Sequence, residues 1–379
     1  MYHREFHGEK FFQLGFGLMR LPVIDQDQSK VDYDKVEEMF LYAYENGVNY
    51  YDTAYPYHNG HSEMTLGKIL ENNHLRDKVN IATKLFTLGM ERPDYNPRAM
   101  FEEQLSRLKT DHIDFYLIHG LHGDQWETLK NKFDILPFLD KLRRDGTIRH
   151  IGFSFHDEYP VFKRIIDDYD WEFAQIQYNY LDNQIQAGDA GLEYARCKGI
   201  PLNIMEPLKG GNLIFPDYPE IDAIKARHGL ESMSNAELGL RYVFDKSGLL
   251  VVLSGMSTLE QVKENIAIAN RCEQGCFTAA EQACVEEIRA FLEKIENIQC
   301  TGCRYCCEGC PQNIQIPAAF SLYNSGKKYN NRDAQMRIYE RSCSNLADCV
   351  ECGQCVEACP QHLEIPELLK EVRNYFGNE

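Results

Sequence analysis

Apolar residues along the first 290 positions alternate between two patterns. Short continuous runs of strand length, such as Leu249-Leu250-Val251-Val252-Leu253, are separated by longer amphipathic stretches. Read this way, the chain predicts eight strands, at 13–18, 50–54, 80–85, 115–119, 150–154, 174–178, 202–206 and 250–254. Helices predicted between them include 33–46, 61–72, 97–109, 157–169 and 235–246. Strands alternating with helices imply a parallel sheet. The length suits an α/β fold of the closed (β/α)8 kind, a TIM barrel, which takes about 250 residues. An open doubly wound sheet is the alternative and would want a G-x-G-x-x-G turn after the first strand. Gly15-Phe16-Gly17 lacks the third glycine and the helix start.

The pattern changes after a charged helical connector at about 278–298. The expected domains are therefore 1–290, a barrel, and 291–379. The second contains an internal repeat at an offset of 49 residues. The segment from Cys300 to Gln312 aligns without gaps on the segment from Cys349 to Gln361, and the match continues to Ile316-Pro317 and Ile365-Pro366. Such self-similarity reads as a duplicated half-domain. Each half spells C-x2-C-x2-C-x3-C-P. Three thiolates spaced two residues apart wrap three corners of a cubane, and the fourth cysteine, beside proline, reaches the other cluster. Cys300, Cys303, Cys306 and Cys359 are thus expected to hold one [4Fe-4S] cluster, and Cys349, Cys352, Cys355 and Cys310 a second. A zinc ribbon takes four ligands and leaves the repeated third and fourth cysteines unexplained. This region resembles the bacterial two-cluster ferredoxins over residues 295–370, with a longer spacer, and a small α+β domain is expected.

Composition narrows the partners. Fourteen cysteines are present, ten of them in the last 80 residues, which in a reducing compartment reads as metal binding rather than disulfides. A formal net charge of −18 speaks against nucleic acid or an anionic membrane as partner. No apolar run approaches the 18 or so residues of a membrane span, and the first residues carry no apolar signal core. A cytoplasmic location is expected. Cys197, Cys272, Cys276, Cys284, Cys307 and Cys343 fall outside the ligand pattern and read as spare thiols.

In a parallel barrel the carboxyl ends of the strands build the site. Asp52, Lys84 and His119 each end an apolar run, and Tyr57 follows the first of them. A lysine so placed wants a counter-charge, which Asp52 supplies. A tyrosine near that lysine would find its phenolate stabilised and its pKa drawn down from about 10. Around these residues lie Asp52-Thr53-Ala54-Tyr55-Pro56-Tyr57, Ser62-Glu63, Leu66-Gly67, Thr83-Lys84-Leu85 and Leu117-Ile118-His119. They are followed by Gly146-x-Ile148-Arg149-x-Ile151-Gly152-x-Ser154, Gln175-Ile176-Gln177-Tyr178-Asn179, Glu206-Pro207-Leu208 and Glu264-Asn265. In this order the motifs resemble the aldo-keto reductases across residues 13–270.

That resemblance implies a catalytic tetrad of Asp52, Tyr57, Lys84 and His119. Tyr57 would protonate a carbonyl oxygen, Lys84 and Asp52 would tune it, His119 would orient the carbonyl, and hydride would come from a nicotinamide. It also implies cofactor contacts at Ser154, Gln177, Met205, Pro207, Leu208, Gly255, Ser257, Gln261 and Asn265. Gly255, Ser257 and Gln261 carry no charge where NADP-preferring members place basic residues. NAD, NADP and a flavin phosphate therefore all stay open. Arg20, after the first strand, is a candidate to meet an anionic substrate or to form a surface salt bridge. His58, His122 and His156 read as solvated loop histidines. Phe86, Tyr95, Trp126 and Phe215 either line the substrate pocket or pack.

Three functional readings follow. The first is an oxidoreductase acting on a small carbonyl or alcohol, with clusters that are structural or relay electrons from a carrier such as ferredoxin or flavodoxin. The second is a flavin enzyme coupling a substrate to the clusters, since nicotinamide does not normally release single electrons. The third is an electron-transfer or redox-sensing module on a retired barrel, against which the intact tetrad speaks.

Overall fold

The computed structural model describes residues 2–377. The chain divides into two compact units. One runs to Gly210 and resumes over Ala236–Phe277; the other comprises Gly211–Asn235 and the chain from Thr278 on.

The first unit opens with a hairpin, β1 (His3–Phe6) and β2 (Glu9–Phe12). The hairpin is absent from the strands predicted above. Its turn, His7-Gly8, takes positive φ at both positions (49° and 83°), as a two-residue hairpin turn of matching twist requires. Eight parallel strands follow: β3 (Leu14–Gly17), β4 (Tyr50–Asp52), β5 (Asn80–Leu85), β6 (Ile113–Leu121), β7 (Ile148–Phe155), β8 (Phe173–Gln177), β9 (Leu202–Met205) and β10 (Leu249–Gly255). They pair in sequence order, and β10 closes on β3 with Val252 opposite Leu14 and Gly255 opposite Gly17. All eight are the strands predicted from the apolar runs. Phe6 and Phe11 of the hairpin pack into one buried cluster with Tyr50, Phe115, Phe173, Leu250, Val251 and Leu253, so the amino end of the barrel is plugged.

The flanking helices start where capping chemistry allows. Asp32 accepts from Lys35 N at the head of Tyr33–Glu45, and Asn96 accepts from Arg98 N and Ala99 N before Pro97–Leu108. Helix His61–Asn73 lies tightly on the end of Pro97–Leu108 through Gly67. A Cβ there would stand 2.4 Å from the Arg107 carbonyl oxygen, so no larger residue fits.

In the second unit, helix Ala279–Glu293 opens with a capping box between Thr278 and Glu281. Its Glu287 pairs with Arg227 and His228 at the end of helix Pro219–Arg227. The cysteine-bearing region is built from helices Tyr305–Glu308, Ile316–Tyr329, Arg332–Ser342, Gln354–Glu357 and Ile365–Phe376. The strands of the expected α+β domain are not found there among the described residues. Pro317 and Pro366, aligned by the repeat, instead sit in the first turns of two of these helices. The duplication is written in the backbone as well. Left-handed φ recurs at the same offset of 49 in three pairs: Gly302 and Glu351, Arg304 and Gly353, Asn313 and His362. The core joins both halves, with Tyr339 stacked on Phe376 at 4.5 Å and Ile314, Phe320, Leu346 and Leu369 buried around them. No helix among the described residues is long and apolar enough to cross a membrane.

Candidate functional site

Four ionisable side chains meet at the carboxyl end of the barrel. Asp52 is the last residue of β4, Lys84 lies near the end of β5, and His119 near the end of β6. Tyr57 follows β4 in a turn held by its own N–H on Ala54 O. Lys84 is 1% exposed and Asp52 4%. The lysine donates to Asp52 Oδ1 at 2.6 Å and to Thr53 O at 2.7 Å. Its Nζ stands 5.1 Å from the centre of the Tyr57 ring. Tyr57 and His119 meet edge to face, with ring centres 5.9 Å apart. The structure thus brings the four predicted residues together.

Their protonation follows from burial and from one cation. Burial works against the Lys84 ammonium, but Asp52 and Tyr57 outweigh it and hold its pKa above the usual lysine range. Burial lifts Asp52 above the usual carboxylate range despite the pull of Lys84. Burial, then the Lys84 charge, pushes His119 down to about 3, so its imidazole is neutral at ordinary pH. Tyr57 departs from expectation. Its pKa is raised, because burial exceeds the stabilisation that Lys84 gives the phenolate. The site therefore presents a protonated phenol beside a neutral imidazole.

Behind the tetrad lies a network that sequence reasoning did not find. Glu63, fully buried, accepts from Thr83 Oγ1 (2.6 Å), Gln104 Nε2 (2.7 Å) and Arg107 Nη1 (3.1 Å). Gln104 also donates to Lys84 O at 3.1 Å, and Arg107 donates to Tyr55 O and lies 4.1 Å over the Tyr55 ring. The network fixes the backbones on either side of the tetrad. Glu63→Ala removes the carboxylate partner of Arg107 and of two other donors, Thr83 and Gln104, and is expected to destabilise the barrel by about 3–5 kcal/mol. Both tryptophans of the chain, Trp126 and Trp171, are buried in the barrel unit, so their fluorescence during thermal unfolding reads this loss.

One expectation is corrected, and the choice left open for four aromatic residues is decided. His58 is not a solvated loop residue. It is buried, and its Nε2 accepts from Leu21 N at 3.1 Å, tying the segment after β3 to the segment of Tyr57. Trp126 is fully buried and donates to Asp168 at 2.7 Å, and Phe215 is buried in the second unit beside Tyr329. Both are packing residues. Phe86 does flank the site, with its ring 6.3 Å from that of His119. Tyr95 supports it by donating to Phe86 O. His156 is exposed and His122 part-buried.

The residues expected around a cofactor occupy the ends of β7 to β10 and the loops after them. Ser154 Oγ accepts from Gly120 N at 2.8 Å, which leaves the hydroxyl proton to donate. The Gln177 amide is engaged at both ends, by Asp182 (3.0 Å) and Gln186 (3.3 Å). Met205 ends β9 half-buried, followed by buried Pro207 and half-buried Leu208. Gly255 ends β10, exposed. Ser257 donates its hydroxyl to Arg20 O (2.6 Å) and its N–H to Gln261 Oε1 (2.8 Å). Asn265 is buried and donates to Ser254 Oγ, fastening the helix Leu259–Arg271 to β10. Among the described residues His119 Nδ1 and Asp52 Oδ2 are buried without a hydrogen-bond partner. An orphaned polar atom of this kind costs about 1–3 kcal/mol. A polar group seated beside the tetrad, with Ser154 free to donate to a carboxamide oxygen, fits this donor set.

The cysteines of the second unit line two cavities. Cys300, Cys303, Cys306 and Cys359 border one of about 310 Å³. Cys310, Cys349, Cys352 and Cys355 border another of about 340 Å³. Each cavity draws three cysteines from one half of the repeat and one from the other. Two thiol quartets of this composition fit the ligand demand of two [4Fe-4S] clusters. Cys343 is fully buried in the core between them.

Comparison with known proteins agrees with this division. Residues 299–363 match the 4Fe-4S dicluster domain, so the carboxyl-terminal region is a dicluster domain of the ferredoxin type. The barrel resembles L-galactose dehydrogenase of Arabidopsis thaliana, 26% identical over 68% of this chain and 83% of that protein. It is 27% identical to the NADH-specific methylglyoxal reductase of Escherichia coli over 62% of this chain and 82% of that protein. Among solved structures, the holo form of an aldo-keto reductase from Bacillus halodurans superposes with a TM-score of 0.61, at 23% identity over 76% of this chain and 96% of its own. An aldo-keto reductase of Klebsiella pneumoniae in complex with NADPH gives 0.57, at 19% identity over 76% of this chain and 96% of its own. Residues 13–274, the span that carries the strand-end tetrad, match the pattern of one family, and the chain belongs to the aldo/keto reductases.

Proposed function

We propose that this oxidoreductase reduces a small carbonyl compound, or oxidises the matching alcohol, with Tyr57 as general acid and base and a nicotinamide dinucleotide as hydride carrier. The observation that carries this reading is the buried Lys84–Asp52 pair set 5.1 Å below the Tyr57 ring with His119 at its edge. When bound, the dinucleotide supplies a hydride to the carbonyl carbon. The chain's own residues supply the rest. His119, neutral and aimed at the same space, donates a hydrogen bond that orients the carbonyl oxygen. Tyr57 gives its proton to that oxygen, and the Lys84 ammonium stabilises the phenolate left behind. Asp52 keeps that ammonium charged inside an apolar barrel end. In the reverse direction the phenolate takes the alcohol proton. Ser154 and Gln177 hold the carboxamide, and Met205 covers the ring.

The relatives named above include a protein described as NADH-specific and another seen with NADPH. The uncharged Gly255, Ser257 and Gln261 favour NADH here, because a 2′-phosphate wants cationic partners at that loop. A flavin has no comparable support. We assign Cys300, Cys303, Cys306 and Cys359 to one [4Fe-4S] cluster, and Cys310, Cys349, Cys352 and Cys355 to the other. Their role in this reading is to exchange single electrons with a carrier protein.

The anaerobically purified chain is expected to bind NADH with quenching of its two tryptophans. Given a panel of aldehydes and methylglyoxal, it should form one alcohol for each nicotinamide oxidised. Failure to bind either NADH or NADPH sinks the reading. The pH dependence is a separate check. Reduction needs the phenol protonated, which holds below its raised pKa and fails above it. His119, at about 3, stays neutral. kcat/KM for reduction is therefore expected to be flat from about pH 5 to 8 and to fall only at about 10 or above. An inflection near the ordinary histidine value of about 6.5 would remove His119 from its assigned role.

A further inference from the structure

The two halves of the dicluster domain have parted in charge. Residues 300–348 hold six basic and four acidic side chains, a formal +2. Residues 349–379 hold two and six, a formal −4. Residues 1–299 carry 32 basic and 48 acidic side chains, a formal −16, so the first half-repeat is a basic island in an acidic chain. Arg332 pairs with Asp333, but the two lysines find no carboxylate among the described residues. Lys328 makes no hydrogen bond or ion pair with any described residue, and the adjacent Lys327 donates only to the neutral Tyr323 hydroxyl.

The island lies against one cysteine set. Helix Ile316–Tyr329, which bears both lysines, contributes Pro317 and Phe320 to the cavity of Cys300, Cys303, Cys306 and Cys359. Lys328 also lines a second, open cavity of about 690 Å³ with Cys300, Thr301, Ser321 and Ser325. This is a polar notch with one ammonium and the aliphatic hydroxyls of Thr301, Ser321 and Ser325, bordered by a cysteine of the first set. Between Cys303 and Cys306, in the same half-repeat, Tyr305 is 58% exposed, a large apolar side chain on the surface. Unpaired cations and an exposed aromatic within one half-repeat are the make-up of a transient protein-docking site. The other cysteine set is approached by Pro366 and Leu369 of helix Ile365–Phe376, in the acidic half.

We propose that the notch of Lys328 and Cys300, with the neighbouring Lys327 adding to its positive charge, docks an acidic one-electron carrier protein whose carboxylate enters the notch. The charge pattern selects this occupant. An extended polyanion such as nucleic acid or a membrane surface would meet the −20 of the remaining chain, whereas a small acidic protein engages only the island, within a Debye length of about 8 Å. The inference rests on the reading that the clusters exchange electrons with a carrier.

The test uses the full chain with its clusters in place. Binding of a small acidic two-cluster ferredoxin is measured by calorimetry at low and at high salt, for the wild type, for K327E/K328E and for K370E/R373E, which reverses the cations of the second half. The first double variant is expected to bind roughly tenfold more weakly at low salt, with a shallower dependence of log Kd on log salt. The second variant should bind like the wild type. Iron content and cluster EPR should be unchanged in both. Electron exchange with methyl viologen, itself a cation, should not fall in K327E/K328E. Equal affinities for all three proteins, or equal weakening by both variants, overturns the docking site alone. Binding of DNA or anionic vesicles that competes with the ferredoxin at the lysines also overturns it. Absence of ferredoxin binding by the wild type overturns the carrier reading on which it rests.

Discussion

Tyr57→Phe is expected to lower kcat for carbonyl reduction by roughly 10²–10⁴-fold, with the affinity for reduced nicotinamide little changed. The phenylalanine fills the same buried volume and keeps its edge toward His119, 5.9 Å away between ring centres. What it removes is the hydroxyl proposed to protonate the reacting oxygen. His119 does not replace it, because at about pKa 3 its imidazole has no proton to surrender near neutrality without becoming an anion. Lys84 does not replace it either, since its Nζ is already committed to Asp52 and to Thr53 O and is held charged above the usual lysine range. The Lys84 ammonium loses its interaction with the Tyr57 hydroxyl in this variant but keeps its hydrogen bonds to Asp52 and Thr53 O, so thermal unfolding read by the barrel tryptophans should stay near that of the wild type. Steady-state kinetics against the same aldehyde panel checks the prediction. A variant that keeps more than about a tenth of the wild-type kcat would mean that the proton comes from elsewhere, and the tetrad assignment falls.

The second large effect concerns the cysteines. If each cluster takes its fourth ligand from the opposite half of the repeat, losses of ligands follow cavity membership and not sequence proximity. Cys300→Ser and Cys359→Ser lie 59 residues apart but border the same cavity. The double variant is expected to lose no more iron than one cluster, leaving about four of about eight atoms per chain. Cys310→Ser and Cys300→Ser lie ten residues apart in one half, but they border different cavities. That double variant is expected to lose both clusters. Iron analysis and EPR of anaerobically reconstituted protein distinguish the outcomes. Loss of both clusters from the first pair and one from the second would establish ligation within each half and refute the crossed assignment.

Much of this was legible in the sequence, for physical reasons. The barrel strands are buried on both faces, so each reads as an unbroken apolar run, and an ionisable residue ending such a run stands out. Asp52, Lys84 and His119 announced themselves in that way. The amino-terminal hairpin did not. Its strands carry His3, Glu5, Glu9 and Lys10 on the wet side, and a His-Gly turn is a weaker signal than Asn-Gly. Gln104 was invisible, because a glutamine inside an amphipathic helix says nothing until the helix is docked and its amide meets Glu63 and Lys84 O. The sign of the Tyr57 shift was equally hidden, since it depends on how far burial outweighs one ammonium. Trp126 and Phe215 came from segments that looked like pocket loops, but large rings in a well-packed fold are more often inside it.

The aromatic plug has a consequence for how the protein is made. Phe6 and Phe11 leave the ribosome about 240 residues ahead of Leu250, Val251 and Leu253, the last of the residues that cover them. At 5–20 residues per second, that interval is on the order of tens of seconds. The partner of β3 across the seam, β10, is just as late. For that time the nascent chain carries an open sheet edge and two phenyl rings that Tyr50, Phe115 and Phe173 cover only in part, a combination prone to association. Yield in recombinant expression should therefore depend on translation speed and on chaperone supply more than on the stability of the finished barrel.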